Sequence, residues 1–329
     1  MFCACLTFFI GFNAHATDNA ASSPGAPITD TPDAAMAPPN GHVFATSDGV
    51  RLWYREAGRA DGTPVVFLHG GPGEGSQTFA RYAGPELEPH LRMIYLDQRG
   101  SGRSQRPKQS SAYSIDRMVL DIEELRLQLR AKRIDIIGHS FGTILALEYA
   151  ARYPEHVNRL VIAGTSHDIP AIVDSLCTRL ANSDPAAYAR AAKATRGSKT
   201  YWRCDPFEAY PDQRQQAFID HNMFPDIRVA RVVKEADSAN GLGNTGESFR
   251  GLLSNGFARY RFVKFSRVRM PVLIIAGELD FETPVEEHRA LARNLPQATL
   301  LVYPSSGHFT FVEQPVRFGR DVSAFLAER

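Results

Sequence analysis

A mostly parallel α/β sheet, covered by helices on both faces and carrying a mainly helical insertion, is the fold class this 329-residue chain predicts. Three observations carry the prediction. Several short segments are apolar at every position, as strands buried on both faces must be. They alternate with amphipathic helical segments, the rhythm of parallel strands joined by crossovers. The glycine-rich and acidic motifs fall just after strands, where such sheets bind ligands.

The elements follow in order. Val43 to Glu56 reads as two short strands around the turn Ser47-Asp48-Gly49, with Leu52 and Tyr54 alternating inward. Pro64 to Leu68 is an apolar strand leading into His69-Gly70-Gly71-Pro72-Gly73, and Arg92 to Leu96 is one leading into Asp97-Gln98-Arg99-Gly100-Ser101-Gly102. Ile115 to Leu129 has helical spacing, with Leu120, Leu125 and Leu129 expected to face inward. Ile134 to Ile137 is a strand and Thr143 to Ala150 a helix. Leu160–Ala163, Pro271–Ala276 and Thr299–Tyr303 read as further strands, with helices over Val285–Leu295 and Pro315–Leu326.

Residues 166–265 break the alternation and mix aromatic with charged side chains. They read as a cap inserted between the core segments 42–165 and 266–329. A separate C-terminal domain fits less well, because core-type strands and a closing helix follow the insertion. At the N-terminus, Phe2 to Phe12 is a short apolar run before the small-residue site Ala14-His15-Ala16, the pattern of an export leader over 1–16 without the usual basic start. Residues 17–41, rich in Ala, Pro, Ser and Asp, read as a flexible linker. The expected location is periplasmic or secreted, or cytoplasmic if that segment does not work as a leader. Removing it leaves Cys177 and Cys204, which form one disulfide in an oxidising compartment or remain two unrelated buried thiols.

A formal net charge of +1 and the lack of a long basic run argue against nucleic acid as a partner. No internal run of about 18 apolar residues calls for a membrane span. No cluster has metal-ligand spacing, and Gly70-Gly71-Pro72-Gly73 lacks the Lys-Ser/Thr of a phosphate loop, so no metal, nucleotide or other cofactor is expected. Oligomeric state is not legible.

Chemistry concentrates at Gly138-His139-Ser140-Phe141-Gly142, between strand and helix. A sharp turn there lifts the Ser140 hydroxyl towards a substrate and leaves the Phe141 amide free, and side chains at the flanking glycines would collide. A serine hydroxyl needs a base, and the base an orienting carboxylate. His308, in Ser305-Ser306-Gly307-His308-Phe309 after the last strand, is the expected base; histidines outside the motifs read as cap or helix surface. Asp280, in Gly277-Glu278-Leu279-Asp280, is the expected acid, with Glu278 and Glu282 as neighbours that could compete and Asp168 as a second location. The amides of Gly71 and Phe141 are the expected oxyanion donors. Arg99 is expected to tie loops together through bidentate hydrogen bonds.

Together these motifs resemble the α/β-hydrolase superfamily, and more narrowly the proline iminopeptidase (prolyl aminopeptidase) family of serine peptidases. The match rests on His69–Gly73, Asp97–Ser104, the serine turn, Gly277–Asp280 and Gly307-His308, spread from about Val43 to Glu328. The resemblance implies the α/β-hydrolase fold and release of an N-terminal proline or similar residue from a small peptide. Two departures stand out. The family's turn often reads Gly-Gly-Ser-Trp-Gly, where this chain has His139 and Phe141. The family also holds the substrate's amine with cap glutamates, a role the resemblance extends to Glu208, Asp220 and Glu235. An esterase, lactonase or amidase acting on a small acyl substrate, and a non-catalytic binding protein on the same fold, are the other readings.

Overall fold

Alternate residues of each central strand face opposite layers of helices, and that alternation builds the molecule. The computed structural model describes residues 41–196, 202–238 and 241–327. The expected leader and linker lie outside these residues, except for Gly41, which opens the first strand. The strands are β1 (Gly41–Ala45), β2 (Arg51–Gly58), β3 (Pro64–Leu68), β4 (Arg92–Asp97), β5 (Ile134–His139), β6 (Val157–Ala163), β7 (Val272–Gly277) and β8 (Ala298–Tyr303). They form one eight-stranded sheet in the order β1-β2-β4-β3-β5-β6-β7-β8. β1 and β2 pair antiparallel, as do β2 and β4; from β4 to β8 every neighbouring pair is parallel.

The helices are α1 (Gln77–Tyr82), α2 (Gly84–Leu87), α3 (Ile115–Gln128), α4 (Phe141–Arg152), α5 (Ile169–Ser183), α6 (Pro185–Ala194), α7 (Arg214–Met223), α8 (Ile227–Ser238), α9 (Glu247–Ser254), α10 (Val285–Asn294), α11 (Thr310–Glu313) and α12 (Pro315–Ala327). Val66, Leu68, Ile94, Ile136 and Ile162 share one buried cluster with Ile122 and Leu125 of α3 and with Ile144 and Leu147 of α4. Their sequence neighbours Val65, Phe67, Met93, Ile137 and Val161 pack on the other face with Phe79 of α1, Leu87 of α2 and Phe318 of α12. Both faces are apolar because both are covered, which is why these strands read as continuous runs.

One expectation about α3 needs correction. Met118, Val119, Ile122 and Leu125 are its buried apolar residues and Leu129, partly buried, packs against the same cluster as expected, whereas Leu120 is only partly buried. The buried stripe follows 118, 122 and 125, the i, i+4, i+7 spacing of one helix face. Leu120 lies off that stripe. The same helix buries Asp121, which receives Arg99 Nε and Nη2 at 2.6 and 2.7 Å. Arg99 also reaches Asp48 at 2.9 Å and the Ala112 carbonyl at 2.9 Å, so it ties three segments together as expected.

Between β6 and β7 the chain leaves the sheet for α5 to α9, which sit over the carboxyl ends of the strands. Cys177 of α5 is joined to Cys204 by a disulfide. The closed loop spans 27 residues, a length at which a cross-link constrains the unfolded chain by roughly 3 kcal/mol. This segment is tethered to the core at several points. Asn222 of α7 accepts the amides of Phe281 and Glu282 through its carbonyl at 2.8 and 3.0 Å. The Arg179 guanidinium lies 3.6 Å from the Phe281 ring centroid, a cation–π contact. Asn244 donates to the Pro72 carbonyl at 2.9 Å and thereby holds the glycine-rich loop after β3.

Candidate active site

The turn after β5 is as tight as its glycines require. A Cβ on Gly142 would lie 2.1 Å from the Leu68 carbonyl oxygen, and one on Gly138 2.8 Å from that of Gly142. Ser140 itself sits at φ 50°, ψ −121°, a conformation that costs a non-glycine residue of order 1–3 kcal/mol. Its amide donates to the Ala163 carbonyl at 3.0 Å, and its carbonyl accepts the Thr143 hydroxyl at 2.6 Å. The backbone is pinned on both sides while the Ser140 hydroxyl has no hydrogen bond among the described residues. Two sheet strands and a helix start hold the strain in place.

His308 lies across the same strand end. Ser140 bonds to Ala163, and a Cβ on the next residue, Gly164, would lie 2.9 Å from His308 Cε1. The His308 amide donates to the Met223 carbonyl at 2.7 Å, and its carbonyl accepts His139 Nε2 at 3.1 Å. Glu313 of α11 accepts the Ser306 hydroxyl at 2.6 Å and the Gly307 amide at 2.7 Å, fixing the loop from the other side. His308 Nδ1 lies 2.7 Å from Asp280 Oδ2. Because a carboxylate only accepts, Nδ1 carries the proton and Nε2 the lone pair. That Nε2 is buried with no partner among the described residues.

Asp280 is held as firmly. Oδ1 accepts the amides of Glu282 and Thr283 at 3.0 and 2.8 Å, and Oδ2 also accepts the Thr283 hydroxyl at 2.6 Å. The expected alternatives go elsewhere. Asp168 caps α5 through the Ala171 amide at 3.0 Å and pairs with Arg261. Glu278 accepts the Ser305 amide at 3.3 Å. The reading of the remaining histidines as cap or helix surface fails at His167, which is buried, and at His288, which is fully buried. His288 Nε2 accepts the Thr165 amide and its Nδ1 donates to the Pro284 carbonyl, tying α10 to the end of β6. Helical periodicity of α10 places it inward, a signal present in the sequence.

Gly71 and Phe141 both line the cavity that holds Ser140. Neither amide donates to a described residue. Gly71 has φ +107°, a conformation suited to glycine, and a Cβ there would lie 2.8 Å from the Gly73 amide nitrogen. His69 pins the start of this loop: Nε2 accepts the Gln98 amide at 3.0 Å, so Nδ1 donates to the Gly70 carbonyl at 2.9 Å.

The cavity is small, about 80 Å³. Ile169, Ile172, Val173 and Leu176 of α5 form one wall, and Trp202, Phe207, Met223, Phe249 and Phe257 most of the rest. None of the three cap acids expected at the substrate lines it. Asp220 is buried against Lys234 Nζ at 2.6 Å and accepts Gln216. Glu235 is exposed on α8, and Glu208 is half-buried on the short turn Pro206–Glu208. Helical position brought Asp220 to the inner side of the cap, but a lysine one helix further on had already neutralised it. Among the described residues no cluster of His, Cys, Asp and Glu is arranged to hold a metal ion.

Electrostatics at His308 set a pH expectation. Burial works to lower its pKa, but the adjacent Asp280 carboxylate outweighs burial, and Glu282 and Glu313 add to it, so the pKa is raised above the ordinary imidazole value. A base must be neutral to act. Hydrolysis of a neutral ester should therefore fall off on the acid side with a midpoint above pH 6.5. A kcat/KM profile that stays flat down to pH 5 would contradict His308 as the base.

Similarity to known proteins places the chain in a class. Residues 63–315 match the alpha/beta hydrolase fold family, and the chain belongs to that family as a hydrolase of alpha/beta fold. Within it, the chain resembles proline iminopeptidases. It is 28% identical to the proline iminopeptidase of Xylella fastidiosa over 308 residues, covering 83% of this chain and 92% of that one. It is 30% identical over 284 residues to a putative 2-succinyl-6-hydroxy-2,4-cyclohexadiene-1-carboxylate synthase of Bacillus subtilis, covering 86% and 97%. A solved proline iminopeptidase-related protein of Thermus thermophilus superposes with a TM-score of 0.70 at 24% identity, covering 87% of this chain and 97% of that one, a likeness of fold.

Proposed function

We propose that the chain is a serine hydrolase of the aminopeptidase type, releasing an N-terminal proline or similar small residue from peptides through an acyl-enzyme. The observation that carries the reading is the buried His308–Asp280 pair, with an Nε2 that has no partner among the described residues, at the same strand end as a serine held in a strained turn. Ser140 Oγ attacks the scissile carbonyl while His308 Nε2 takes its proton, and Asp280 stabilises the imidazolium. The amides of Gly71 and Phe141 hold the resulting oxyanion. His308 then protonates the leaving amine, the C–N bond breaks, and the acyl group stays on Ser140. Water, deprotonated by His308, releases it and restores the serine.

Relatives named proline iminopeptidase support the peptidase reading, as does a narrow apolar cavity of a size for a small acyl side chain. The position of the cap acids away from that cavity favours the second reading, an esterase, lactonase or amidase acting on a small neutral acyl group. The Cys177–Cys204 disulfide supports export to an oxidising compartment.

Purified protein incubated in parallel with proline 4-nitroanilide and 4-nitrophenyl acetate separates the readings. Anilide turnover that is lost in Ser140→Ala supports the aminopeptidase. Ester turnover alone, lost in the same variant, rejects it for the esterase-like reading. Failure of a fluorophosphonate to label wild-type protein would remove the serine hydrolase altogether and leave a binding protein.

A further inference from the structure

One side chain in the cavity has no task in the chemistry described so far. Among the described residues, Glu282 is the only charged residue lining the cavity that holds Ser140; the other described lining residues are apolar, Ser, Thr or Gly. It stands on the loop after β7, two residues beyond Asp280. Its backbone is fixed there, the amide donating to Asp280 Oδ1 and to the Asn222 carbonyl, both at 3.0 Å. Among the described residues, no hydrogen bond or ion pair reaches its carboxyl group.

Such an arrangement is costly for the empty protein. Burial among apolar side chains and the nearby Asp280 carboxylate raise the Glu282 pKa, with His308 opposing them, and push it to about 7. A carboxylate without a partner in an apolar cavity is destabilised. A cation delivered into the cavity would relieve that cost and form a charge-assisted hydrogen bond in a site of low polarity. The core loop thus presents the anion that the cap acids do not: Asp220 is paired with Lys234, and Glu208 and Glu235 lie off the cavity.

We propose that Glu282 is the specificity-determining residue of this site, its carboxylate binding a cationic amine on the acyl part of the substrate while Ser140 attacks the neighbouring carbonyl. This rests on the reading of Ser140 as the nucleophile. It selects substrates whose acyl group carries an ammonium within a few bonds of the scissile carbonyl. Because Glu282 and Asp280 share one short loop, the amine-binding group and the carboxylate that orients the base are set at a fixed spacing by the backbone.

The test uses two 4-nitrophenyl esters of equal shape, that of proline and that of cyclopentanecarboxylic acid, which lacks only the amine. Both leaving groups are activated, so either kind of serine hydrolase can turn them over. Wild type should favour the proline ester in kcat/KM. Glu282→Gln keeps the side-chain shape and should lower kcat/KM for the proline ester by about 10- to 100-fold, mainly through KM. The carbocyclic ester brings no cation and should lose far less, so the ratio of the two collapses. Glu282→Asp should restore part of the ratio. Equal losses on both esters would overturn the proposal, because Glu282 would then act through the triad. No loss on either, or a wild-type preference for the carbocyclic ester, would overturn it too and leave the serine hydrolase standing. If wild type turns over neither ester and a fluorophosphonate fails to label it, the underlying reading falls together with the proposal.

Discussion

Ser140→Ala should lower turnover of any substrate by about 10⁶-fold, to the residual rate that binding and oxyanion donors alone provide. The magnitude follows from the mechanism. Without Oγ no acyl-enzyme can form, and the surrounding groups have nothing to activate. Stability should barely change. The hydroxyl makes no hydrogen bond with a described residue, alanine keeps the same Cβ, and the backbone strain at φ 50° is unaltered. Changes without a lost contact usually stay within about 0.5 kcal/mol. Active-site titration with a fluorophosphonate should fall to zero in parallel. Retained turnover in a variant purified free of wild-type enzyme would remove Ser140 as the nucleophile.

Asp280→Asn should cost about 10⁴-fold in kcat with the fold intact. The amides of Glu282 and Thr283 both donate to Oδ1, so the asparagine oxygen is expected to stay there and its NH₂ to take the place of Oδ2. A donor then faces His308 Nδ1 at the 2.7 Å position. The imidazole must move its proton to Nε2, and the atom that should accept the serine proton no longer can. The acid limb provides a second readout. The Asp280 carboxylate stabilises the imidazolium and raises its pKa, while burial lowers it. Removing the carboxylate leaves burial in command, so any residual activity should persist to lower pH than in wild type. Near-normal kcat would take Asp280 out of the triad.

Much of this site was legible because its chemistry sits at strand ends. Runs such as Val65–Leu68 and Leu160–Ala163 are apolar at every position, which only a doubly covered sheet explains. The glycines around Ser140 carry a packing reason that the contacts with Leu68 and Gly142 make explicit. Arg99 was readable as a loop tie, though not its partners Asp48 and Asp121, which are 51 and 22 residues away. The cap was the hard part. Asp220 had the right residue type on a plausible helix, yet Lys234, 14 residues on, occupies its carboxylate.

The local pattern by itself determined the strand-helix alternation, the serine turn, the histidine after the last strand and the acid before it. These are short-range properties: periodicity, glycine spacing and order along the chain. Only the tertiary structure decided which carboxylates meet the cavity, whether Cys177 meets Cys204, and which nitrogen of His308 is left free. Each depends on segments far apart in the chain being brought within a few ångströms, where burial and charge act on them together. Glu282 shows the difference most clearly. In the sequence it is one of several acids near Asp280; in the folded protein it is the one that lines the cavity, and its carboxyl group has no hydrogen bond or ion pair among the described residues.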